Sequence, residues 1–165
     1  MATYDGGVVL YHYDGMLIEL IHRMKYEGDI YFAEGFGEIL ADKVQKKGLC
    51  PVDFIIPVPS HWLRKISRWV NIPDLLAGRI GDLLGRPVLY HALNRSRYTY
   101  PKIMIGHGIS EKNSFSVSEN LKLTGARVLL VDDVLTSGAT MNSCAELLKQ
   151  AGAEKVFICA AAGNT

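Results

Sequence analysis

The chain has 165 residues, 48% of them apolar, with 18 Lys and Arg against 17 Asp and Glu. That length supports one domain with its own core and is short for two, so residues 1–165 are read as a single domain. The near-zero net charge excludes a global electrostatic hold on nucleic acid or an anionic membrane, so any such binding must be local. Cys50, Cys144 and Cys159 are odd in number and form no CxxC pair, which excludes an encoded disulfide framework or zinc ribbon and fits a reduced, cytoplasmic chain. No apolar run approaches a membrane span, so no membrane insertion is expected.

Val8 to Tyr13 reads as an opening strand. Asp14 can cap a helix whose Leu17, Leu20, Ile21 and Met24 share one face and which stops near Gly28. Phe32, Phe36, Ile39, Leu40 and Val44 repeat with helical spacing up to Gly48, and Phe54 to Ile56 is a short buried strand between Pro51 and Pro57. Leu75, Leu76, Ile80, Leu83 and Leu84 predict another helix with Asn71 as its cap, and Val88 to Leu93 a further strand. Residues 94–123 are polar and without a sustained period, as expected of a long functional loop or an irregular excursion. Ala126 to Val131 is a buried strand, Ala139 to Gln150 a helix ended by Gly152, and Val156 to Ala161 a final strand. Helices alternating with apolar strands predict an α/β fold with a mainly parallel sheet.

In such a sheet ligands gather at the carboxyl ends of the strands, where Val128 to Val131 delivers Asp132 and Asp133. Two adjacent carboxylates repel one another and need hydroxyl donors or a cation; ribose cis-hydroxyls helped by a divalent metal satisfy both needs. Thr136, Ser137, Gly138, Ala139 and Thr140 then supply three hydroxyls, a tight turn and the free amides of a helix N-terminus, which together cradle a phosphate. The alternative is a core strand followed by turn residues and a helix cap. Against it stands the whole string, VLLVDDVLTSGAT, which resembles the phosphoribosyl pyrophosphate (PRPP) motif of type I phosphoribosyltransferases. GxxxxGK[ST] and GxGxxG are both missing, which argues against a P-loop hydrolase or a dinucleotide fold.

After the Phe54 to Ile56 strand, Pro57-Val58-Pro59-Ser60 leads into Arg64, Lys65 and Arg68. Arginine grips phosphate oxygens bidentately and lysine adds a point charge, so Ser60, Arg64, Lys65 and Arg68 are candidates for pyrophosphate; the alternative is a solvated basic turn. Arg95, Arg97 and Lys102 in RSRYTYPK could close over the same group as a flexible loop. An exposed basic loop is the alternative there, as is a stacking surface for single-stranded DNA that adds Trp62 and Trp69. The five histidines show no metal-ligand spacing.

Tyr13-Asp14-Gly15, Lys25-Tyr26-Glu27-Gly28-Asp29, the Pro-Val-Pro loop and the RVLLVDDVLTSGAT segment, taken in order, resemble the ComF family of phosphoribosyltransferase-like competence proteins over most of the chain. The chain departs from the family pattern where Arg68 leads into Trp69-Val70-Asn71-Ile72, and at Pro101-Lys102 and Glu111-Lys112-Asn113. The family's N-terminal zinc ribbon is expected to be absent. The resemblance implies a type I phosphoribosyltransferase fold, in which Thr136 to Thr140 bind the 5-phosphate of PRPP or another phosphorylated ribose and Asp132 and Asp133 its hydroxyls as catalytic residues. Mg2+ accompanies PRPP, with no direct protein ligand assigned, and the acceptor is a nitrogenous compound. The alternatives are an accessory protein in DNA uptake that binds single-stranded DNA or a competence partner, and a PRPP-sensing regulator. A homodimer is a further expectation.

Overall fold

The computed structural model describes residues 2–59, 71–95 and 115–164. Its centre is a four-stranded sheet in the order β1 (Gly6–His12), β6 (Lys155–Gly163), β5 (Arg127–Leu135), β2 (Phe54–Pro57), with every neighbouring pair parallel. Parallel neighbours need crossovers, and helices provide them: α1 (Gly15–Tyr26) and α2 (Tyr31–Lys46) lead from β1 towards β2, and α4 (Ala139–Gln150) joins β5 to β6. Between them lie α3 (Ile72–Leu84) and a small antiparallel pair, β3 (Leu93–Arg95) with β4 (Phe115–Val117). Among the described residues no helix is long and apolar enough to cross a membrane.

Side chains alternate across a strand, and here the alternation sorts the core into two layers. Leu129 and Val131 of β5 face one side with Ile55, Cys159 and Ala161, where they meet Met24 of α1, Leu40 and Val44 of α2, and Leu76 and Ile80 of α3. Val128 and Leu130 face the other side with Ile56, Ile158 and Ala160, against Met141, Cys144 and Leu148 of α4. Leu129 and Leu130 are fully buried; each such side chain contributes roughly 2 kcal/mol by leaving water. Burial on both faces explains the unbroken apolar run from Val128 to Val131 in β5.

The predicted helices and strands are present, with three differences. The strand expected over Val88 to Leu93 shrinks to a single parallel bridge between Val88 and Ile55, whose amide donates to Pro87 and whose carbonyl accepts from Leu89. Among the described residues of the polar stretch, Phe115 to Val117 form a strand, β4, paired with β3. Finally, β5 does not stop at Val131: it continues to Leu135 because β6 also continues, pairing Asp132 with Ala160, Val134 with Ala162 and Leu135 with Gly163.

That extension sets the position of the acidic pair. A Cβ on Gly163 would lie 2.9 Å from the Leu135 carbonyl oxygen, so the end of β6 admits only glycine without a shift. The close approach lets Asn164 donate to Leu135 at 3.1 Å and Tyr13 donate to Gly163 at 3.1 Å. The last residues of β5 and the start of α1 are thereby fixed to the same strand end.

Candidate functional site

At the carboxyl edge of the sheet a cleft of about 470 Å³ opens between β5 and α1. Asp132, Asp133, Thr136 and Thr140 line one wall; Tyr13, His22, Lys25 and Tyr26 line the other. Val58, Pro59, Asn71 and Arg95 contribute at its margins.

The two carboxylates are consecutive at the end of β5 and both reach the cleft, close enough to act on one another. Asp133 meets the ammonium of Lys25 from the last turn of α1 in a largely enclosed ion pair, the side chains 15% and 13% exposed. Asp132 lines the same cleft, and its Oδ1 accepts from the backbone amide of Asp133 at 2.8 Å. Burial at the cleft floor and then repulsion from Asp133 push the Asp132 carboxyl well above the ordinary carboxylate range, the amide and Lys25 opposing. Two residues identical in sequence are therefore unlike in state: one carboxylate has a cation, the other holds a proton readily.

The turn after β5 is short. Gly138 takes the left-handed conformation, φ +74°, as the N-cap of α4, and no side chain caps that helix. The hydroxyl of Ser137 accepts from the Ala139 amide at a long 3.4 Å. Thr136 and Ser137 are exposed and Gly138 to Thr140 half-buried, so the first amides and hydroxyls of the helix face an accessible surface. Such a terminus favours an anion through its amides and its dipole.

Arg95, foreseen for a closing loop, stands at the end of β3 with its guanidinium 5.1 Å from the centre of the Phe115 ring and lines the cleft. Ser60, Arg64, Lys65, Arg68, Arg97 and Lys102 lie outside the described residues, as do Trp62 and Trp69. Lys25, Tyr13 and His22 were not assigned to the site from sequence, although Tyr13 and Lys25 fall in segments that carried the family resemblance. Their signal was a motif without a role: nothing local says that the end of α1 closes over β5.

Among the described residues no three His, Cys, Asp or Glu side chains come together to hold a metal ion. Mg2+ commonly binds one or two carboxylates and completes its shell with substrate phosphates and water, so the acidic pair fits a metal that arrives with its ligand. Burial disfavours both thiolates: it pushes Cys144 up to about 12 and raises Cys159 further still.

The phosphoribosyl transferase domain family matches residues 92–164, the segment that holds the acidic pair and the turn. Competence protein F of Haemophilus influenzae is 31% identical over 94% of this chain and 72% of that protein. The chain belongs to the competence protein F (ComF) family. A second relative, the DNA utilization protein YhgH of Shigella flexneri, is 30% identical over 92% of this chain and 69% of its own. Among solved structures, purine phosphoribosyltransferase from Pyrococcus horikoshii superposes with a TM-score of 0.51 at 25% identity, covering 77% of this chain and 71% of that one. This ComF-family chain therefore has the type I phosphoribosyltransferase fold, with its parallel central sheet flanked by helices.

Proposed function

We propose that the cleft binds PRPP together with Mg2+ and transfers its phosphoribosyl group to a nitrogenous acceptor. The observation that carries this reading is the junction at the end of β5, where Asp132 and Asp133 open within one short turn onto the uncapped N-terminus of α4. The amides and hydroxyls of Thr136 to Thr140 hold the 5-phosphate, and the acidic pair takes the ribose hydroxyls. Arg95 at the cleft margin approaches the pyrophosphate, joined in this reading by Ser60, Arg64, Lys65, Arg68, Arg97 and Lys102. Bound magnesium supplies charge neutralisation as pyrophosphate departs. The protein contributes position and a fixed electrostatic frame around an anomeric carbon that becomes cationic, so no strong protein nucleophile is needed.

Calorimetric titration with PRPP and Mg2+ tests the binding step. The expected result is saturable, Mg2+-dependent heat that Asp132→Asn and Asp133→Asn each reduce by at least about tenfold, the cost of one charge-assisted hydrogen bond. Absence of saturable heat in the wild type, unchanged by those substitutions, discards the reading. Pyrophosphate release across a panel of bases and amines then separates a transferase from a PRPP-sensing regulator.

The names of the relatives, a competence protein and a DNA utilization protein, favour a second reading as an accessory factor that binds single-stranded DNA or a partner. Backbone binding predicts an affinity that falls steeply with salt. A measured affinity insensitive to salt counts against it.

A further inference from the structure

We propose that Lys25 is a specificity-determining residue of the cleft: its ammonium is the resident countercharge of the acidic pair, so the site refuses a bare divalent cation and admits one only in complex with a phosphorylated sugar. The selectivity for a sugar complex rests on the ribose-phosphate reading above; the countercharge itself rests on geometry alone.

Lys25 belongs to α1, far along the chain from β5, yet its head group meets Asp133 inside the cleft. Arg23 of α1 and Lys46 of α2 sit in more exposed pairs. Arg23, two residues earlier, pairs with Asp29 at 2.8 Å, with its own side chain 46% exposed, and Lys46 pairs with Asp42 at 75% and 54% exposure. Pairs of that kind are screened and contribute little. Enclosure makes the Lys25 charge count, because a neighbouring cation in a half-enclosed cleft is felt at a low effective dielectric.

Two facing carboxylates with no countercharge would attract any divalent ion. Here one of the two is already engaged, and no third carboxylate or imidazole stands close enough among the described residues to complete a shell. Magnesium keeps about six oxygen ligands and gives up its waters reluctantly, so the protein by itself offers too few donors and a repelling ammonium. A sugar diphosphate removes both obstacles. It brings the missing oxygens to the metal, and its negative charge turns Lys25 from an opponent into a partner.

The test uses the full chain and Mn2+ as the probe, followed by calorimetry and by the paramagnetic signal of the free ion, with thermal unfolding recorded to confirm that each variant is folded. Lys25→Met is expected to bind Mn2+ at least about tenfold more tightly than wild type, since a unit charge at close range is removed. Lys25→Arg, which keeps the charge, is expected to behave as wild type, and adding Asp133→Asn to Lys25→Met to erase the gain. Equal Mn2+ affinity in wild type and Lys25→Met overturns the proposal, as does a gain in Lys25→Arg as large as in Lys25→Met. Wild-type protein that takes up Mn2+ as tightly alone as with PRPP overturns it without any variant. No phosphoribosyl ligand is present in the metal-only arm. A gain there, with no PRPP bound by any variant, discards the ribose-phosphate reading and retains Lys25 as the countercharge.

Discussion

The backbone amide of Asp133 donates to Oδ1 of Asp132 at 2.8 Å, tying the two residues through the main chain at the floor of the cleft they both line. The arrangement holds the two charges close together. It also makes Asp132 a group the fold holds at a cost, since burial and Asp133 both disfavour its ionised form.

The pH dependence follows from that shift. An acid whose folded-state pKa is raised binds more protons folded than unfolded between the two values, so its contribution to stability declines as pH rises through that window. Asp132→Asn removes the penalty. Its melting temperature at neutral pH is expected to exceed that of wild type by a few degrees, on the order of 1 kcal/mol, with the difference vanishing in acid, while PRPP binding is lost. Thermal unfolding at several pH values checks it; a variant less stable than wild type at neutral pH contradicts it.

Asp5 has the opposite sign. Burial alone would raise its carboxyl, but hydrogen bonds from Lys149 and from the Val156 amide at 2.8 Å outweigh it and hold the group below its ordinary value. Its stabilisation is present above the ordinary carboxylate value and is lost as pH falls through the depressed one. Asp5→Asn should therefore cost about 1 kcal/mol at neutral pH and progressively less in acid, as urea unfolding at the two pH values would reveal.

At Gly138 an added Cβ meets nothing closer than 3.8 Å, so space does not forbid a side chain there. The left-handed backbone does: Gly138→Ala is expected to destabilise the protein by about 1 kcal/mol or to relax the turn. Relaxation moves the α4 amides, so affinity for ribose 5-phosphate should fall more than stability does. Parallel melting and binding measurements distinguish a local effect on the turn from general unfolding.

Of the three thiols, Cys144 and Cys159 are buried and Cys50 is half-buried. Since only a thiolate reacts and both buried groups resist ionisation, native protein at mildly alkaline pH should release no more than one equivalent of thiol to a chromogenic disulfide reagent, and three after denaturation. Reaction of a second thiol without unfolding would show that one of the two core layers opens.

The sheet was legible because its strands are buried on both faces, which leaves Val128 to Val131 and Val156 to Ala161 as unbroken apolar runs between turn residues. Where β5 ends was not legible. Asp132 and Asp133 are poor strand formers taken alone, and what extends the strand through them is pairing with Ala160, Ala162 and Gly163, a fact of the neighbouring strand. Val88 misled in the reverse direction, its apolar neighbourhood supporting one bridge only. In the site, Asp132, Asp133 and the residues from Thr136 to Thr140 are contiguous and announce themselves as a motif. Lys25 does not, since on α1 it reads as one more basic residue in a last turn that also holds Arg23.

The segment matched as a phosphoribosyl transferase domain begins at residue 92, whereas the cation that meets Asp133 comes from α1. Excising residues 92–164 would leave the two carboxylates with neither Lys25 nor the apolar cover that Met24, Leu40 and Leu76 give to β5. The signature is thus not a transplantable cartridge. Substitutions within α1 can retune the charge of the cleft while every letter of the signature stays the same, so two chains with identical signatures need not share a ligand preference.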